Sequence, residues 1–214
     1  MPSPEIKICG ISTPAALDAA IGARADYIGL VFFGKSPRNV APAQAAMLAA
    51  RASGHARLVG LFVDPDPDFL AEVLATVPLN VVQLHGRESP AQAAAVAARH
   101  TIEVWKAIGI KTRADLAQAD AYASAASRIL FDAKPPAGSD LPGGNGLRID
   151  WSILKGLRPA LPWMLAGGLD PDNVAEAIAI TGAPAVDVSS GVESAPGVKD
   201  VAKIAAFCVA ARST

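Results

Sequence analysis

The sequence predicts a single (β/α)8 barrel domain spanning residues 1–214. Two observations carry that reading. Short apolar runs alternate regularly with Ala-rich helical stretches, and no Pro- or Ser-rich linker divides the chain. Eight such units in 214 residues give about 27 residues each, near the lower limit for this fold. The runs are Glu5–Cys9, Tyr27–Phe32, Arg57–Val63, Val81–His85, Glu103–Ile108, Arg128–Asp132, Pro162–Ala166 and Ala185–Val188. Their apolarity is continuous rather than alternating, as expected of parallel strands covered on both faces.

The helical stretches are Pro14–Ala23, Pro42–Ser53, Pro67–Val77, Pro90–His100, Arg113–Tyr122, Trp151–Lys155, Pro171–Ile180 and Val198–Ala211. Thr13-Pro14, Asp66-Pro67, Ser89-Pro90 and Asp170-Pro171 each set a capping residue before Pro at the first helical position. An open doubly wound sheet is the competing fold. Its first strand–helix turn would often carry GxGxxG, and here that turn reads Cys9-Gly10-Ile11-Ser12-Thr13. The longest irregular stretch, Ala133–Leu147, is rich in Gly and Pro, and a loop of that length inside a compact domain is usually functional.

Composition narrows the function classes. Lys plus Arg number 19 and Asp plus Glu 20, a net charge of −1. That balance offers no general field for nucleic acid or anionic lipid, so any anion site is local. No run approaches the length of a membrane span, and the N-terminus lacks a basic region followed by an apolar core. The expectation is a soluble cytoplasmic protein. Cys9 and Cys208 form no disulfide framework, and the three His show no paired-ligand spacing, so neither metal nor cofactor is expected. Roughly a fifth of the chain is Ala, which suggests helices packed close to something else.

In a barrel of this kind the active site lies at the carboxyl ends of the strands. That rule selects Cys9, Arg38, Asp132, Gly167-Gly168, Asp187 and Ser189-Ser190 by position. The loops after strands seven and eight frequently bind phosphate through backbone N–H groups, and Gly167-Gly168 with Ser189-Ser190-Gly191 suits that role. Lys7 and Cys9 share a strand face by the two-residue period, so Lys7 is expected to lower the thiol pKa and make Cys9 a base or a nucleophile. Asp132 ends an apolar strand, and an apolar setting would raise its pKa and suit it as a general acid. Arg38 offers a planar fork for a carboxylate or a second phosphate. His85 is expected to line the mouth or cap the barrel rim, without a catalytic role, and Cys208 to lie in the core.

The chain resembles the phosphoribosylanthranilate isomerase family of tryptophan biosynthesis. The resemblance rests on Lys7-Ile8-Cys9-Gly10, Phe32-Phe33-Gly34-Lys35-Ser36-Pro37-Arg38, Val82-Gln83-Leu84-His85-Gly86 and Leu130-Phe131-Asp132. It continues through Gly143-Gly144-Asn145-Gly146, Leu165-Ala166-Gly167-Gly168-Leu169, Asp187–Glu193 and Gly197-Val198-Lys199-Asp200. It implies an Amadori rearrangement with Cys9 as general base and Asp132 as general acid. It implies that Arg38 binds the anthranilate carboxylate, that Asp187 helps position the substrate near its nitrogen, and that the paired loops bind phosphate. The partner would be a small phosphorylated substrate, with no cofactor, acting in a monomer or homodimer. Asn145 stands where the family commonly has Thr, and Ile149-Asp150-Trp151 where it often has FDW. The competing expectations are a related aminoaldose isomerase of histidine biosynthesis, with paired aspartates, and a non-catalytic phosphometabolite-binding barrel.

Overall fold

The computed structural model describes residues 3–134, 143–144 and 146–214. Most of the Ala133–Leu147 loop, including position 145, therefore lies outside the described residues. Eight parallel strands close into a barrel in sequence order. They are β1 (Glu5–Cys9), β2 (Tyr27–Phe32), β3 (Arg57–Phe62), β4 (Val81–Leu84), β5 (Glu103–Ile110), β6 (Arg128–Ala133), β7 (Trp163–Leu165) and β8 (Ala185–Val188). Closure occurs where β1 pairs with β8, in a register that sets Lys7 opposite Asp187.

Among the described residues six α-helices surround the barrel: α1 (Pro14–Gly22), α2 (Pro42–Ala52), α3 (Pro67–Thr76), α4 (Pro90–His100), α5 (Val174–Thr181) and α6 (Val201–Arg212). Three of the four expected caps form as read. Thr13 accepts from Ala16 N, Asp66 from Asp68 N and Phe69 N, and Ser89 from Gln92 N in a capping box.

The structure differs from the sequence reading at four helical stretches. Arg113–Tyr122 and Trp151–Leu154 are 3-10 helices. In the first, the side chains turned inward are Leu116, Ala119 and Tyr122, a spacing of three that matches the tighter helix. The third difference is the start of α5. Asp170-Pro171 does not begin it. Asn173 accepts from Asp170 N (3.0 Å) and donates to Gly168 O (3.0 Å), so these residues form a turn and the helix starts at Val174. At the last stretch, Val198–Lys199 is not helical. It is β10, paired antiparallel with β9 (Glu193–Ala195), and Asp200 then caps α6 through Ala202 N and Lys203 N.

The apolar residues separate into layers. A large cluster fills the space between strands and helices, with Ile6, Ile8, Ile28, Phe131 and Leu165 from the strands. A second fills the barrel interior with Tyr27, Val59, Val81, Trp105, Leu130 and Met164. Arg128 closes the amino-terminal end, 4.7 Å over Trp105 and 5.4 Å over Tyr27. Cys9, Val31 and Leu61 form a third, small cluster at the opposite mouth.

The Ala excess has a structural use. Ala16, Ala20, Ala45, Ala49, Ala52, Ala177 and Ala211 are buried on helix faces turned to the barrel, where a larger side chain would push the helix outward. Ala20→Leu is expected to destabilise the protein by about 1–3 kcal/mol in denaturant titrations through overpacking. Ala15→Leu, on the exposed face of the same helix, should stay within about 0.5 kcal/mol of the parent.

Candidate active site

All eight residues selected by position line one cleft at the carboxyl ends of the strands: Cys9, Arg38, Asp132, Gly167, Gly168, Asp187, Ser189 and Ser190. Its floor is the β1–β8 seam. Lys7 Nζ donates to Asp187 Oδ1 at 2.8 Å, with Lys7 fully buried. Burial works against the Lys7 charge, but Asp187 and Cys9 outweigh it and hold the lysine above its ordinary pKa. The neighbouring strand leaves room for this group through Gly29. A Cβ there would stand 2.9 Å from Cys9 Cα, 3.0 Å from Cys9 Sγ and 3.1 Å from Lys7 Nζ.

Here the structure corrects the sequence reading of Cys9. Burial pushes the thiol above its ordinary range. Lys7 and Lys199 oppose that shift, while Asp187 reinforces it. Lys7 lies on the expected face and pulls in the expected direction. Its charge is paired with Asp187, and the apolar walls of the mouth prevail.

Asp132 also stands in different surroundings from those expected. Oδ1 accepts from Ala133 N at 2.7 Å, and Oδ2 lies 3.1 Å from His85 Nε2. Gln83 Nε2 lies 3.2 Å from His85 Nδ1, so the imidazole is held between Gln83 and Asp132. Gln83 and His85 are two residues apart, so the strand direction carries one side chain into the barrel and the next to its rim. Lys106 steadies the turn that holds His85 by donating to Gly86 O (2.8 Å) and Glu88 Oε2 (3.1 Å).

Arg38 is buried, and its planar fork is already engaged. Nε and Nη2 donate to Glu193 Oε1 and Oε2 at 2.7 and 2.9 Å, and Nη2 also donates to Gly144 O at 3.3 Å. Nη1 takes no hydrogen bond among the described residues and remains for the cleft. Gly10, with φ of +81°, makes room for the arginine stem, since a Cβ there would stand 2.7 Å from Arg38 Cδ. Lys199 Nζ donates to the same carboxylate (2.7 Å) and to Ser189 O (2.9 Å). Burial pushes the Glu193 carboxyl up, but Arg38 and Lys199 bring it below its ordinary pKa. Burial also holds Lys199 below the ordinary lysine value, against the pull of Glu193.

The two loops expected to bind phosphate lie in contact. A Cβ on Gly191 would stand 1.9 Å from Leu169 O, so only glycine allows the loops after β7 and β8 to meet this closely. Gly167 and Gly168 have φ of +86° and +65°, a region L side chains rarely adopt. Among the described residues no group of three or more His, Cys, Asp and Glu is arranged to hold a metal ion. No helix among them is long and apolar enough to cross a membrane.

Residues 6–210 match the family model described as N-(5'phosphoribosyl)anthranilate (PRA) isomerase. The chain belongs to this family. Curated relatives named N-(5'-phosphoribosyl)anthranilate isomerase include the Paramagnetospirillum magneticum protein, 56% identical over 208 residues, 97% of each chain. The Rhodospirillum centenum protein of that name is 56% identical over 210 residues, 97% of this chain and 98% of the relative. Among solved structures, the PRA isomerase of Thermotoga maritima aligns with a TM-score of 0.88 at 35% identity, covering 99% of this chain and all of the other. A further PRA isomerase structure (TM-score 0.85, 34% identity, covering 99% and 100%) is a complex with reduced 1-(o-carboxyphenylamino)-1-deoxyribulose 5-phosphate. The Thermotoga maritima enzyme is described as dimeric, with monomers generated from it. Membership makes this chain a PRA isomerase acting in tryptophan biosynthesis.

Positional reasoning missed Gly29, the roles of His85 and Gln83, Asn173, Glu193 and Lys199. Glu193 and Lys199 lie in motifs quoted for the resemblance, yet nothing in the chain order links either to Arg38. Asn173→Ala removes both hydrogen bonds that clamp the Gly168–Asp170 turn. The expected cost is about 1–2 kcal/mol in denaturant titrations, and a change below 0.3 kcal/mol would show that the clamp does not hold the turn.

Proposed function

We propose that the cleft carries out the family's Amadori rearrangement with Cys9 as general base and Asp132 as general acid. The substrate is N-(5-phospho-β-D-ribosyl)anthranilate and the product 1-(2-carboxyphenylamino)-1-deoxy-D-ribulose 5-phosphate. One observation carries the assignment. A thiol beside a buried Lys–Asp pair and a carboxyl hydrogen-bonded to an imidazole open into the same cleft, between an arginine and two touching glycine-rich loops.

Asp132 gives a proton to the furanose ring oxygen as the C1–O bond opens, and the nitrogen lone pair forms the iminium. His85, 3.1 Å from Oδ2, is the hydrogen-bond partner that holds the acid in place and within reach of a proton. The iminium acidifies the C2 hydrogen, and the Cys9 thiolate removes it. The enolamine then becomes the ketone by protonation at C1 and loss of the hydroxyl proton at C2. The iminium itself is the electron sink for this step. Its positive charge, with those of Lys7 and Lys199, favours the thiolate against the burial that disfavours it. Asp187 carries a negative charge near the position of that cation. Arg38 Nη1 receives the anthranilate carboxylate. The Gly167-Gly168 and Ser189-Ser190 loops receive the phosphate, so the C1–C2 segment is held from both ends.

Cys9→Ser and Asp132→Asn should each lower kcat by about 100-fold or more, with KM changed far less, in steady-state assays of substrate fluorescence loss. Near-parental kcat in either variant removes that residue from its role. A base must be deprotonated to act, and burial holds this thiol above its ordinary range. Because Asp132 must be protonated while Cys9 is ionised, kcat/KM should be bell-shaped, with one limb set by the thiol ionisation above that range. A profile that stays flat into alkaline pH would exclude Cys9 as the base.

A further inference from the structure

Arg38 does not meet the cleft as a free arginine. Glu193 holds its Nε and Nη2 edge in a fork at 2.7 and 2.9 Å. Glu193 is itself secured at three points, two on the carboxylate and one on the main chain. Lys199 Nζ donates to Oε1 at 2.7 Å, Gly197 N donates to Oε2 at 3.1 Å, and Lys203 Nζ donates to the Glu193 carbonyl at 2.8 Å. The β9–β10 hairpin also abuts the loop that carries Arg38. A Cβ on Gly197 would stand 2.4 Å from Pro37 O.

Lys199 reaches the other end of the cleft as well, donating to Ser189 O at 2.9 Å and lying 3.4 Å from Ser189 Oγ. One continuous chain of charge-assisted hydrogen bonds thus runs from the arginine through Glu193 and Lys199 to the loop after β8. All three side chains are buried, and their charges sum to +1. Such a group is rigid, because moving one member leaves another charge buried without its partner.

We infer that Glu193 is a positioning residue for substrate recognition. It fixes the Arg38 guanidinium so that Nη1 alone is presented to a carboxylate, and through Lys199 it ties that donor to the loop at the opposite end of the cleft. The hairpin would then act as a gauge, selecting ligands whose carboxylate and phosphate are separated by the span this chain sets. The inference rests on the proposed reading that Arg38 receives the anthranilate carboxylate. It extends that reading to a residue that touches no substrate.

The test compares two ligands: the reduced product analogue 1-(o-carboxyphenylamino)-1-deoxyribulose 5-phosphate and the corresponding phenylamino compound without the carboxyl group. Affinities are measured by calorimetry for the parent, Glu193→Gln and Arg38→Met. With Glu193→Gln, binding of the carboxylated ligand should weaken at least tenfold and binding of the other less than twofold. Equal losses for both ligands would mean that Glu193 only supports the fold, and would overturn the inference. Arg38→Met separates the two levels. If it fails to discriminate between the ligands, Arg38 does not receive the carboxylate and the underlying reading falls. If it discriminates and Glu193→Gln does not, only the positioning role falls. Should Glu193→Gln fail to fold, Glu193→Asp keeps the charge but shortens the reach. It should show the same discrimination at reduced size, and equal losses there would overturn the inference in the same way.

Discussion

Closure of the barrel at the β1–β8 seam brings two charged side chains from opposite ends of the chain into register, 180 residues apart and fully within the protein. Lys7 and Asp187 must pair there, because either charge alone would carry a desolvation cost of several kcal/mol. Their pairing at 2.8 Å makes the polar floor on which the cleft rests. The thiol of Cys9 sits directly above it, so the same pair sets the field at the proposed base. Asp187 offsets part of the help that Lys7 offers, and burial decides the direction. An enzyme built this way needs a further positive charge before the thiolate is favoured, and the proposed iminium supplies one when the ring opens.

The site is assembled as much from space as from charge. Gly29 and Gly10 each stand where a side chain would strike Cys9, Lys7 or Arg38, and Gly191 where one would strike the loop after β7. The glycines of the two loops were expected to admit a phosphate, and they also let the loops touch one another. In the proposed reading, the backbone N–H groups of these loops receive the phosphate, which moves little during the reaction. Asn173 completes the arrangement by tying Gly168 to Asp170 ahead of α5.

Near-neutral net charge is compatible with the proposed anion binding because the cations are local and enclosed. Lys7, Arg38 and Lys199 are all buried, and each has an acidic partner. The surface therefore needs no excess of basic residues. In the proposed reading the cleft gains its selectivity from the one guanidinium edge that faces it and from backbone donors, rather than from a broad positive field.

The barrel, the placement of its eight strands and eight of the residues that line the cleft were legible in the chain alone. Strand ends and helix caps are local features with a readable period, and in a parallel barrel all carboxyl ends of strands face one mouth, so position along the chain translates directly into position at the site. Composition also foretold the close packing of Ala-rich helices. Which polar groups meet depends on how distant segments pack. Arg38 and Glu193 are 155 residues apart and His85 and Asp132 47 apart. Nothing in either segment alone announces its partner. The start of α5 escaped a correct reading because two short-range hydrogen bonds of Asn173 close a turn there and outweigh a good capping signal. The state of Cys9 escaped it because burial, a property of the closed mouth, exceeds the pull of the lysine two residues away.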